Sequence, residues 1–81
     1  MISCSDYDYI EIVCMHRYPI LLHLKSGHEV IGIAMDTARN NQREECILIE
    51  ADGNPSLIKL DDIARLDVRV ENPHFKTKSF V

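Results

Sequence analysis

Residues 18–35, YPILLHLKSGHEVIGIAM, alternate large aliphatic side chains with other types and break once, at Ser26-Gly27. Ile20, Leu22 and Leu24 fall on one side, and Leu21, His23 and Lys25 on the other. That is the two-residue period of a strand with one face buried. HEVIGIAM follows the Ser-Gly pair directly, so residues 19–35 read as a β-hairpin. Gly32, inside its second strand, predicts a bend or bulge.

Moving outward, the polar interval DTARNNQREE (36–45) reads as a loop, longer than a tight hairpin needs, and long loops in compact domains often carry function. CILIE (46–50) makes a third strand and ADGN a turn, with Gly53 placed for positive φ. PSLIKL makes a fourth strand. IARLDVRV (63–70) makes a fifth, with Ala64, Leu66, Val68 and Val70 on one face. Five short strands joined locally leave two exposed edges unless the sheet curls on itself. The expected architecture is mainly β: a small Sm-like or SH3-like antiparallel barrel of five to six strands over 18–70. Residues 71–81 form a tail or short extra strand.

The 81 residues make one domain, 1–81, with room for only a modest core. A net charge of −4 denies the chain the overall positive field that draws proteins to nucleic acid, so direct nucleic-acid binding is not expected. Three cysteines, Cys4, Cys14 and Cys46, form no CxxC and fit a reducing compartment. With no signal-like segment and no long apolar run, the chain reads as cytoplasmic and without a membrane role.

Residues 3–16, SCSDYDYIEIVCMH, carry three carboxylates, two tyrosines and two cysteines but no Lys or Arg. Strand propensity is high here, yet Tyr7, Ile10, Val13 and Cys14 line one helical face. Ser5 stands three residues before Asp8, a capping-box spacing, and Asp6 and Asp8 suit a helix N-terminus. Pro19 forces an exit after His16. An N-terminal acidic helix over 3–16 follows, with Asp8, Glu11 and Met15 on a face the barrel need not cover.

Each chemical reading then meets a plainer one. Cys14-x-His16 is the only close ligand pair, so no metal site and no cofactor is expected. Asp6, Asp8 and Glu11, or Asp61-Asp62, could supply paired carboxylates, but no motif or pocket accompanies them. Asp61-Asp62 is more simply a polar turn, and the chain is not read as an enzyme. RNA binding through ARNNQR is opposed by Glu44 and Glu45, and the basic, aromatic HFKTKSFV offers only two lysines. A direct RNA-binding Sm-like module is kept as the alternative. Docking accounts best for the unbalanced helix, since surface helices usually mix charge signs.

The run CSDYDYIEIVCMHRYPILLHLKSGHEVIGIAMDT, with CILIEADG and LIKLDDIARLDV after it, resembles the bacterial Rho-binding antiterminators, the Rof family. The specific part is C-x-D-Y-D-x-I/L-E-x-x-C-x-H, at Cys4, Asp6, Tyr7, Asp8, Ile10, Glu11, Cys14 and His16. The resemblance implies an N-terminal helix on an Sm-like barrel that inhibits the hexameric RNA-dependent ATPase Rho. It implies that the helix and a loop occupy Rho's basic RNA-binding surface, as an RNA mimic would, and block RNA loading. By position it implicates Tyr7, Asp8 and Glu11 on the helix and Arg39, Asn40 and Asn41 in the loop. Asn40 departs from the family, whose loop has a basic residue there. The free protein is expected to be a monomer.

Overall fold

A computed structural model describes residues 3–81. The order is α1 (Cys4–Met15), β1 (Pro19–Leu24), β2 (Glu29–Arg39), β3 (Glu45–Ala51), β4 (Asn54–Lys59), a 3-10 turn (Leu60–Asp62), β5 (Ile63–Val68) and β6 (Thr77–Ser79). All six strands pair antiparallel in one sheet, ordered β4-β3-β2-β1-β5-β6.

The alternation in β1 does what its period demands. Ile20 and Leu22 are fully buried, while Leu21 and His23 face outward opposite Ile31 and Glu29. β2 is the long strand that makes the sheet wrap. Its first half, to Ile33, pairs with β1, and its second half, from Ile33 to Arg39, pairs with β3. The register slips between Ala34 and Asp36, so the bulge falls at Met35, not at Gly32. Gly32 serves close approach instead: a Cβ there would collide with Ile49 Cγ2 and stand 2.8 Å from the Glu50 carbonyl oxygen.

The loop expected over 36–45 is shorter, because Asp36–Arg39 continue β2. Their polar side chains do not oppose a strand whose outer face meets water. The β3–β4 turn matches its sequence: Asp52 and Gly53 have φ of 53° and 79° between the paired Ala51 and Asn54, the signature of a type I′ hairpin. On β5, Leu66 and Val68 are buried, whereas Val70 lies beyond the strand and is exposed. Asp61-Asp62 form the 3-10 turn before β5.

Strand pairing does not itself close the barrel. Among the described residues no ladder joins β4 to β6, so the sheet keeps two edges. Both are blunted: Pro55 in β4 lacks an N–H, and β6 is three residues long.

α1 covers the core. Ile10 and Val13 are fully buried and Cys14 nearly so, packed with Ile20, Leu22, Ile47 and Leu66. Burying each large aliphatic side chain is worth about 1.5–3 kcal/mol, which secures a helix otherwise too short to persist alone. The N-cap is Ser3, not Ser5: its hydroxyl accepts from the Asp6 N–H at 3.1 Å. The far end is a Schellman motif. Tyr18 N–H donates to Val13 O at 3.0 Å and Arg17 N–H to Cys14 O at 3.2 Å, with Arg17 itself at φ 52°.

Candidate functional site: an acidic helix face beside a cleft

Helical spacing gives α1 three flanks. Ile10, Val13 and Cys14 point inward. Asp6, Tyr9 and His16 point toward the C-terminal segment. Asp8, Glu11 and Met15 face solvent, with Met15 74% exposed. Of the helix acids, Asp6 is neutralised internally, its Oδ1 lying 3.2 Å from Lys78 Nζ. Among the described residues neither Asp8 nor Glu11 has an ion-pair partner. Tyr7 is half-buried and packs against the core, so its ring is only partly available.

Where α1 crosses β2 a cleft of about 330 Å³ opens, lined by Glu11, Met15, Arg17, Met35, Asp36 and Thr37 among others. Its field is registered by Cys14 at its base. Burial pushes that thiol up to about 11, aided by the Asp36 and Glu11 carboxylates and opposed by Arg17. Asp36 is a part of this face that sequence reasoning missed. Only the strand register, which carries β2 past Met35, sets it against the helix.

From Thr37 the strand leads to the β2–β3 loop. Asn40 is absorbed in the loop's own scaffold: its Oδ1 accepts from Gln42 N–H at 2.9 Å and Glu44 N–H at 3.0 Å, and its Nδ2 donates to Glu44 Oε1 at 3.0 Å. Arg39 is partly engaged as well, donating to Arg43 O at 3.1 Å and lying 3.7 Å from Glu45 Oε1. Asn41 is exposed at the tip. The structure thus joins Glu11 to β2 through the cleft, while Asp8 lies on the exposed face of the helix.

Cys14 is buried while His16 stacks on Tyr18 and His74, so the pair does not converge. Among the described residues no three His, Cys, Asp or Glu side chains stand together to hold a metal. His23, which alternation sets on the outer side of β1, sits in a cross-strand network. Its Nε2 is 2.9 Å from Asp67 Oδ2 and its Nδ1 3.1 Å from Glu29 Oε2, and Arg65 donates to Asp67 at 3.2 Å. Burial acts to raise the Asp67 carboxyl, but hydrogen bonds from Thr77, His23 and Arg65, with Arg65's charge, bring it below its ordinary value.

Residues 1–80 match the family model described as modulator of Rho-dependent transcription termination, ROF. The chain belongs to this family. Two Rof proteins, from Escherichia coli (strain K12) and Shigella flexneri, are each 34% identical over 62 residues, spanning 76% of this chain and 73% of theirs. A solved structure described as YaeO bound to magnesium, from Vibrio cholerae O395, is 37% identical. It superposes with a TM-score of 0.89 over 93% of this chain and 97% of that one. The Rof family is regulatory rather than enzymatic by its description. Among the described residues no helix is long and apolar enough to cross a membrane.

Proposed function

We propose that this chain inhibits the termination factor Rho by laying the exposed face of α1, with the neighbouring β2–β3 loop, on Rho's basic RNA-binding surface, so that RNA cannot load. Family membership supports Rho as the target. The observation that carries the docking mode is the division of labour among the helix acids: Asp6 is neutralised by Lys78, while Asp8 and Glu11 stand exposed and have no ion-pair partner among the described residues. Two uncompensated carboxylates one helical turn apart attract Arg or Lys, and Met15 beside them supplies adaptable apolar contact. Tyr7 contributes the exposed part of its ring. Arg39 and Asn41 add polar contacts from the loop, and Asn40 shapes the loop that carries them.

Truncating one member of a buried interfacial charge pair typically costs about 2–5 kcal/mol. The test is Rho bound to labelled C-rich RNA, titrated with the wild-type protein and with Asp8→Arg. Wild type displaces the RNA, the variant does so at least about thirtyfold less well, and added salt weakens displacement. If wild type leaves the RNA on Rho, occlusion is wrong. If instead it shifts mixed-sequence RNA by itself at physiological salt, it is an RNA-binding module.

A further inference from the structure

The C-terminal segment is the part of the chain that the docking reading leaves without a task, and it meets α1 along one whole flank. Lys78 Nζ lies 3.2 Å from Asp6 Oδ1 and 4.9 Å from the centroid of the Tyr9 ring. Phe75 meets Tyr9 edge to face at 4.9 Å, and His74 stacks on His16 at 4.8 Å. These contacts fall at Asp6, Tyr9 and His16, so they touch the first turn, the middle and the C-cap of the helix.

The segment is itself fixed at both ends. Asn72 Oδ1 accepts from His74 N–H at 2.8 Å and Phe75 N–H at 3.1 Å, while its Nδ2 donates to Val70 O at 3.0 Å and Phe75 O at 3.1 Å. That turn aims both rings at the helix. Beyond them β6 pairs with β5, and Phe80 N–H donates to Ala64 O at 2.8 Å. The result is a strap running from the end of β5 across the helix flank and back onto the sheet.

We infer that this strap, and Lys78 above all, positions the docking face. The inference rests on the reading of α1 as the Rho-facing element and adds what orients it. The core grips α1 from beneath, and a helix of this length held along one stripe can still roll and fray. The strap fixes its second flank and so sets the direction in which Asp8 and Glu11 project. Lys78 also selects the docking charge: by neutralising Asp6 it confines uncompensated carboxylates to the outer flank. An interface that needs no reordering on contact binds more tightly for the same contacts.

The test compares wild type with Lys78→Met, which keeps an unbranched stem against Tyr9 but no charge, and with the exchange Asp6→Lys/Lys78→Asp. Amide hydrogen exchange on the free proteins reads how firmly α1 is ordered, and competition against RNA on Rho reads docking. Lys78→Met is expected to speed exchange in the first two turns of α1 by about three- to tenfold, with β1 and β3 amides unchanged, and to weaken Rho binding by a similar factor. The charge exchange restores both. Unchanged α1 exchange in Lys78→Met overturns the inference, and so does faster exchange with Rho affinity intact. Should wild type fail to displace RNA, the docking reading falls, while the exchange data still decide whether the strap orders the helix.

Discussion

Asn40 holds Glu44 twice: its Oδ1 accepts the Glu44 backbone N–H, and its Nδ2 donates to the Glu44 carboxylate, each at 3.0 Å. Neighbouring Asn41 has no such work. Two adjacent residues of one type therefore differ in kind. Asn40→Ala is expected to lower stability by about 1 kcal/mol, the size of a lost cap. Asn41→Ala should stay within about 0.5 kcal/mol and act, if at all, on Rho affinity. Chemical denaturation of both variants decides, and equal destabilisation would contradict the assignment.

Gly32 tests the close approach of β2 to β3. Alanine there meets Ile49 Cγ2 and the Glu50 carbonyl, and a backbone oxygen cannot swing aside. Gly32→Ala should cost about 1–3 kcal/mol as overpacking, read as a lower urea midpoint at unchanged slope. A neutral result would mean that β2 and β3 have more slack than this spacing allows.

Arg17 occupies the position after the helix C-cap with φ of 52°, where a side chain is strained and glycine is not. Arg17→Gly should raise the thermal midpoint, with a gain of up to about 1 kcal/mol. Arg17→Ala, which keeps the strain, should not.

Cys14 links stability to alkaline pH. Its thiol is raised from about 9 in the unfolded chain to about 11 in the fold. Below pH 9 both states hold the proton and its contribution is complete. Between 9 and 11 the unfolded chain loses the proton while the fold keeps it, so stability falls through that window. Cys14→Ala should flatten this part of the stability–pH curve. Thiol labelling at neutral pH should modify exposed Cys4 first, with buried Cys14 and Cys46 slow.

What could be read in advance follows from range. Alternation at Ile20, Leu22 and Leu24 and the stripe at Ile10, Val13 and Cys14 are local consequences of which face meets the core, and both stand in the structure. The cap was misplaced by two residues because Ser3 and Ser5 each precede an Asp by three. The length of β2 was missed because Asp36 and Thr37 look like loop when judged by polarity alone. Three features depend on pairing that no local pattern carries: the bulge at Met35, the network around His23, and the reach of Lys78 to Asp6. The helix residues proposed to face Rho stood out as an imbalance of charge. Lys78 was equally visible, yet nothing in HFKTKSFV says which carboxylate it meets.

The pair between Asp6 and Lys78 also fixes an order of events during synthesis. α1 precedes every strand in the chain, but the lysine that pins its opening turn comes more than seventy residues later. Its burial partners arrive strand by strand, and the strap closes only after β5 is in place to receive β6. The acidic helix is thus made before the strands and braced after them. A chain cut short of β6 would carry the exposed carboxylates of α1 without the brace that holds its first turn.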